Sequence, residues 1–378
     1  MLLRRATDRQ RGRNQPEKKT VISFASPTSD STDCSIIGAG VIGLSIARRL
    51  AAAGLSVVVY DRSSPGQEAS HAAGGMLCPR LEFQKESKLS EMGEISLQLY
   101  PDYARELEEE TGLCVDLRLN GVLSPLTSDA STSEINTAEV NGARLVDGAT
   151  IRDLEPGIAP EITRALYYEE EGSLDSRALT EALETACRRL GVTIREKCAV
   201  SDVLVEKDRV SGVRTLSGDF SSPIVINSAG SWASEIGGVE RVEIRPIKGQ
   251  MLLLDCGKNE KELPRHTIYA HSVYLVPRAD GRLIVGTTVE DKGFDKEIEQ
   301  EAVDNLHQSA AGLFPFLGEM PVLESWAGLR PLGEHDIPTI GPLSPEGYYA
   351  AVGHYRNGIL LTPLTQELMA REILSETA

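Results

Sequence analysis

The feature that most constrains this chain is the run from Ser35 to Leu50, in which a short apolar stretch passes through three glycines into a helical pattern. Ser35-Ile36-Ile37 reads as a buried strand, and Ile42, Ile46, Ala47 and Leu50 recur behind it at helical spacing. Gly38 permits the tight turn between them, Gly40 lets the backbone approach a pyrophosphate, and Gly43 lets the helix lie close on the strand. The N–H groups at the start of that helix, Val41 and Ile42 among them, then face an anion. Gly54 stops the helix, and Val57-Val58-Val59 follows as a second strand closed by Asp61, an acid placed to accept a ribose hydroxyl. These pieces specify a dinucleotide-binding βαβ unit, hence an α/β fold with a parallel sheet. The motif by itself leaves nicotinamide and flavin dinucleotides both open.

Length and charge limit what can surround that unit. With 378 residues, 41% of them hydrophobic, the chain is long enough for two or three structural units. A net charge of −17 argues against general affinity for nucleic acid or anionic lipid, which needs concentrated Lys and Arg. No uncharged apolar run approaches the ~20 residues that span a bilayer. Cys34, Cys78, Cys114, Cys187, Cys198 and Cys256 show neither CxxC nor zinc-type spacing, which predicts reduced structural thiols, a cytoplasmic setting and no metal site. Residues 1–33 carry seven Lys or Arg against four acids and no apolar core; a disordered extension, an Arg-rich presequence and a translation start near Val21 all fit this tail.

Along the rest of the chain, Ala69 to Leu77 is dominated by Ala and Gly, so its backbone can approach something flat and bulky. His71 within it is read as structural. Glu82 to Thr111 predicts two helices or one kinked at Pro101, with Glu108-Glu109-Glu110 as a solvated face. Short strands follow in Cys114 to Leu126 and Arg164 to Tyr168, with Thr127 to Asn141 a polar loop leading to a helix. Asp175 is placed as the N-cap of a helix that Gly191 ends, with Leu179, Leu183, Ala186 and Leu190 on one face. Val192 to Ile194, a hairpin over Val203 to Val213 and Ile224 to Ile226 read as strands; the last ends in a turn holding Gly230 and Trp232. Val242 to Val289 is β-rich, Glu297 to Phe314 predicts a helix, and a final helix reaches about Leu374, irregular near Pro363.

These residues together resemble the FAD-dependent D-amino acid oxidase superfamily, and most closely the glycine oxidases of thiamine biosynthesis. The resemblance covers nearly all of Ser35 to Leu374. It rests most on Ala72-Ala73-Gly74-Gly75-Met76-Leu77, on Tyr274 to Arg278 with Gly286 to Glu290, on Trp326 to Pro331, and on Gly353 to Gly358. The fold it implies is a discontinuous Rossmann-like FAD-binding domain (34–90, 170–240 and 322–378) plus an antiparallel β-sheet substrate domain (91–169 and 241–321). It implies noncovalent FAD held by Gly38, Gly40, Val41, Ile42, Gly43, Asp61, Arg62, Ser70, Gly74, Gly75, Met76, Val200, Gly230, Trp232, Asn357, Gly358, Ile359 and Leu360. Ser70 and Gly74 to Met76 would lie near the flavin, and Gly358 to Leu360 at its pyrimidine end, where a helix N-terminus suits accumulating charge. Sarcosine oxidase relatives attach flavin through a late cysteine, whereas the last one here is Cys256.

For chemistry, the resemblance implies oxidation of glycine or a small amine such as sarcosine or D-alanine to an imine, with dioxygen reduced to peroxide. Tyr274, Arg330 and Arg356 would surround the substrate carboxylate. Arg330 would be its main partner, because a guanidinium fork pairs with both oxygens and stays charged. No protein acid or base is required, and His354 is placed behind the reacting groups. A dehydrogenase serving a quinone or carrier, and a flavin-binding module without catalysis, are the alternatives. Val289 would stand beside the substrate cavity, and family precedent points to a homo-oligomer.

Overall fold

The computed structural model describes residues 32–377, apart from 84, 128–129, 131–135, 139–140, 258–262 and 272. The expectations for the tail lie almost wholly outside the described residues, as does part of the Thr127 to Asn141 loop. Strands β1 to β10 are, in order, Cys34–Ile37, Val57–Tyr60, Met76–Leu77, Val122–Pro125, Arg144–Asp147, Arg164–Tyr168, Gly172–Ser173, Thr193–Arg195, Val200–Glu206 and Arg209–Thr215. Strands β11 to β19 are Gly218–Ser221, Ile224–Asn227, Ile244–Asp255, Thr267–Tyr269, Tyr274–Pro277, Arg282–Gly286, Val322–Gly333, Thr339–Leu343 and Tyr348–Val352. The longer helices are α1 (Val41–Ala52), α2 (Lys88–Thr111), α3 (Ser176–Arg189), α4 (Gln300–Leu313) and α5 (Gly358–Thr377).

Six strands form one sheet in the order β18-β19-β12-β1-β2-β8. All its pairings are parallel except β18 with β19. Sequential strand β2 lies on one side of β1 and distant β12 on the other, so the order reverses at β1. Ligands bind at such a switch point, outside the carboxyl ends of the strands. Helices α1, α2, α3 and α5 cover this sheet, burying Leu44, Ile46, Leu97, Tyr100, Leu183 and Met369 in one core with Ile36, Val59 and Ile226. The N-cap at Asp175 is as predicted, its carboxylate accepting from the N–H groups of Arg177 and Ala178.

The second sheet has eight strands, β17-β13-β16-β15-β14-β4-β6-β5, and α4 packs its Val303, Leu306 and Ala310 into the core beside it. It is not wholly antiparallel, because β14 and β4 pair in parallel. Two domain boundaries also differ from the sequence expectation. Residues 322–333 fall in the nucleotide unit by sequence, yet β17 pairs along β13 from Ile244↔Gly333 to Leu254↔Val322 and forms the edge of the second sheet. Helix α2 falls in the substrate unit by sequence, yet its Leu97, Tyr103, Ala104 and Leu107 are buried against α1 and α3.

Local differences have local causes. Helix α2 runs unbroken through Pro101, and α5 through Pro363, each held by packing that outweighs the lost backbone hydrogen bond. Glu110 is not simply solvated, since it receives two hydrogen bonds from the buried Arg48. Helix α4 begins at Gln300, because Lys248 and Gln250 hold residues 297–299 in a loop. Leu190 is the C-cap of α3 and is 40% exposed.

Candidate active site

The carboxyl ends of the parallel strands open into one cavity of about 740 Å³, within the range of small-molecule and cofactor sites. Gly38 after β1, Asp61 after β2, Ser228 after β12 and Gly353 after β19 all line it, so the sheet delivers four loops to one place. The eight-stranded sheet closes the other side with Met251, Tyr274, Gly286 and Arg330. The two layers meet through Ala72, Tyr274, Trp326 and Met251; a Cβ on Gly328 would come within 2.3 Å of the Ala72 side chain.

At the glycine turn, Gly38 has φ +102°, and a Cβ there would stand 2.5 Å from the Ser228 carbonyl oxygen. Gly40, Val41 and Ile42 line the cavity. Gly43 does not; a Cβ on it would lie 2.0 Å from the Gly38 carbonyl oxygen, so its role is the close packing of α1 on the turn. Ser70 lines the cavity, and its hydroxyl accepts the Val41 N–H at 3.0 Å, so that N–H of the helix N-terminus is taken within the chain. Asp61 takes the Ala39 N–H at 2.7 Å and the Ser63 N–H at 2.8 Å. The oxygen facing Ser63 also accepts the Ser63 hydroxyl at 3.1 Å, and the oxygen that takes the Ala39 N–H keeps a lone pair for a ribose hydroxyl.

Arg62, Val200, Gly230 and Trp232 line the cavity beside Asp61. The Arg62 guanidinium lies over the Trp232 ring, 4.4 Å from its centroid. Gly74, Gly75 and Met76 form the wall near Tyr274, whose ring would collide with a Cβ on Gly74. Buried Arg278 fastens that wall by donating to the carbonyls of Gly74 and Leu174. At the other end, Asn357 lines the cavity with its N–H donated to the His354 carbonyl, and Gly358 to Leu360 present the first N–H groups of α5, which have no partner within the helix. Tyr100 and Ser96 donate to the carbonyls of Ile359 and Leu360 and fix that turn.

The three residues expected around a substrate all reach the cavity. Tyr274 is buried, which pushes its hydroxyl up to about 12 against the opposing effect of Arg330, and its hydroxyl lies 3.5 Å from the Met251 sulfur. Arg330 donates to the carbonyls of Lys248 and Thr288, each at 3.2 Å, and to the Thr287 hydroxyl at 2.8 Å. Among the described residues no carboxylate stands within ion-pair distance of it. Arg356 differs, because its Nε and Nη2 both donate to Glu82, an ion pair whose attraction outweighs burial and raises the guanidinium pKa. His354 is buried against Thr365, and burial lowers it to about 4, so it is neutral at pH 7. His71 lies off the cavity, 3.9 Å from Glu324.

Sequence reasoning missed Glu82, Thr287 and Arg278. Their signal is tertiary, since each matters only through a partner far along the chain. The donor set fits FAD: a helix N-terminus at a glycine turn, an acid at the next strand end, and a second helix N-terminus across the same cavity. Among the described residues no group of His, Cys, Asp or Glu could hold a metal ion, and no helix is long and apolar enough to cross a membrane.

A parallel sheet with its switch point at a glycine turn, facing a second sheet across one cavity, defines a flavin-dependent oxidoreductase of two-layer design. Residues 33–372 match the family model described as FAD dependent oxidoreductase, and the chain belongs to that family. It is 35% identical to the glycine oxidase of Pseudomonas aeruginosa, covering 89% of this chain and 93% of that protein. It is 33% identical to the bifunctional protein ThiO/ThiG of Trichormus variabilis over 91% of this chain, and spans about half (53%) of that relative's length. The crystal structure of glycine oxidase from Geobacillus kaustophilus superposes with a TM-score of 0.86 at 29% identity, covering 92% of this chain and 95% of that one.

Proposed function

We propose that this chain oxidises glycine and other small amines, sarcosine and D-alanine among them, using dioxygen as acceptor and releasing peroxide. The observation that carries the reading is Arg330. Its guanidinium has five N–H donors, three of which go to Lys248, Thr288 and Thr287, leaving two toward a ligand with no carboxylate of the described chain to neutralise them. Two free donors on a fixed cation suit the two oxygens of an amino acid carboxylate. Bound FAD supplies the electron acceptor for oxidation of the carbon–nitrogen bond.

The chain's own residues bind and orient. Tyr274 stays protonated at neutral pH and adds a donor beside Arg330, with the Thr287 hydroxyl and the weakly accepting Met251 sulfur as its neighbours. Gly74 and Gly286 leave room for its ring, which backbone holds from both sides. Arg356 is anchored to Glu82 through two of its five donors, which offsets its charge and leaves it the secondary carboxylate partner. Neutral His354 supplies no charge, and positioning carries the rate enhancement. Similarity to proteins named glycine oxidase and ThiO/ThiG supports the substrate class, and the resemblance to glycine oxidases of thiamine biosynthesis supports a role in forming the thiazole. We extend the family's homo-oligomer expectation to this chain; sedimentation of the holoenzyme as a monomer would remove it.

The deciding experiment is an anaerobic flavin-reduction screen over glycine, sarcosine, D-alanine and D-proline, followed by peroxide measurement in air. Bleaching with glycine and peroxide on aeration is the expected result. Bleaching without peroxide assigns a dehydrogenase, and no bleaching with any amine assigns a non-catalytic flavin module.

A further inference from the structure

Between β16 and α4, both of which belong to the eight-stranded layer, the chain makes an excursion that touches the nucleotide unit. Residues 287–299 are rooted on β13 in the eight-stranded sheet. The wholly buried Lys248 donates to the Glu297 carbonyl, with the carboxylates of Asp295 and Glu299 at 3.6 and 3.7 Å and that of Glu290 at 4.0 Å. Gln250 receives the Glu299 N–H at 2.7 Å and donates to Glu290 at 2.8 Å. Burial opposes the Glu290 charge, but hydrogen bonds from Gln250, Thr288 and Lys292 and the Lys248 charge bring it down to about 2. The root is therefore a charged cluster fixed at neutral pH.

The far part of the segment rests on the nucleotide unit instead. The Phe294 ring stacks on Trp232 with centroids 5.4 Å apart and planes at 28°. Trp232 in turn carries the Arg62 guanidinium. Two residues on, Lys296 reaches Glu68 at 2.8 Å, beside the helical turn that holds Ser70. Phe294, Trp232, Arg62 and Glu68 all line the cavity at its Asp61 end. A phenylalanine left 46% exposed within a run of charged residues has this stack as its distinguishing contact.

We propose that residues 287–299 are a strap that retains the cofactor, with Phe294 as its closing residue. The dinucleotide then enters and leaves only when the Phe294–Trp232 stack and the Lys296–Glu68 pair separate. The strap's root sets the Arg330 side of the cavity through Thr287 and Thr288, while its tip covers the Asp61 side. Tip variants therefore change cofactor release and spare substrate binding.

The test measures FAD release as the fluorescence rise after dilution of holoenzyme, for wild type, Phe294→Ala, Phe294→Leu and Lys296→Met, together with apoprotein melting temperatures. Both Phe294 variants release FAD roughly two- to tenfold faster, with apoprotein melting unchanged, since a stacked aromatic pair is lost. Lys296→Met gives a smaller acceleration that vanishes at high salt, as an exposed ion pair is screened. Release within about twofold of wild type in every variant that folds overturns the proposal. So does faster release that tracks an equal fall in apoprotein melting temperature, which would make Phe294 a packing residue only. If Phe294→Ala does not fold, Phe294→Leu and Lys296→Met carry the same outcomes.

Discussion

Replacing Arg330 by Lys tests the substrate reading most directly. The guanidinium is held by three hydrogen bonds, to Lys248, Thr288 and Thr287, and it lies against Gly249, where a Cβ would come within 2.3 Å of both terminal nitrogens. An ammonium keeps the charge but cannot satisfy those three acceptors and a carboxylate together. Hydrogen bonds to charged groups contribute about 1.5–3 kcal/mol each, so loss of one of the two substrate contacts raises the glycine dissociation constant roughly 10- to 150-fold. Rapid-mixing reduction of the flavin under anaerobic conditions separates this constant from the limiting rate. The expectation is a large rise in the former, a modest change in the latter and full FAD occupancy. An unchanged dissociation constant in folded, fully loaded Arg330→Lys would refute the assignment, as would loss confined to FAD content.

Four further outcomes follow from particular contacts. Gly249→Ala displaces the Arg330 guanidinium, which yields more easily than backbone, so KM for glycine rises while the melting temperature stays close to wild type. Gly43→Ala has no such relief, because its Cβ meets the Gly38 carbonyl; FAD affinity falls at least about tenfold and the apoprotein melts earlier, by titration and calorimetry. Burial raises Glu171 from 4.5 to about 8, so its stability contribution is full below pH about 4.5 and is lost as pH rises through 8. Glu171→Gln removes that decline and gains stability over wild type between pH 6 and 9, by about a few kcal/mol at most; parallel melting curves would remove the residue from the account. Acid precipitation yields a yellow supernatant, because burial keeps the cavity-lining Cys78 thiol protonated; a yellow pellet would mean a covalent flavin.

What could be read from the sequence was local. The turn at Gly38, the Asp61 strand end and the Asp175 cap are each decided by neighbours within a few residues, and the structure has them in place. Strand β17 was recognisable as a stretch of chain but not as part of the second sheet, because its apolar residues say that it is buried and not which strand it pairs with. Helix α2 went to the wrong layer for the same reason. Arg356 shows the limit at the site: a guanidinium in the right motif, whose charge is paired and two of whose donors are taken by Glu82, 274 residues earlier. Phe294 gave no signal, since a lone aromatic in a charged run has meaning only beside Trp232.

The six-stranded sheet has a consequence for how the protein is made. Strand β1 is complete within the first forty residues, but its neighbour β12 ends at Asn227, and β19, on the far side of β12, ends at Val352. Helix α5, which covers α1 with Met369, Ala370 and Ile373, comes later still. A nascent chain therefore leaves the part of α1 that meets α5 uncovered until residues 358–377 are made, and the cofactor cleft lacks its second helix N-terminus until then. Such long-range closure is slow and leaves intermediates open to aggregation, so FAD loading waits on α5. A message truncated just before Gly358 encodes all six strands of the sheet but leaves α1 uncovered by α5 and the cleft without its second helix N-terminus.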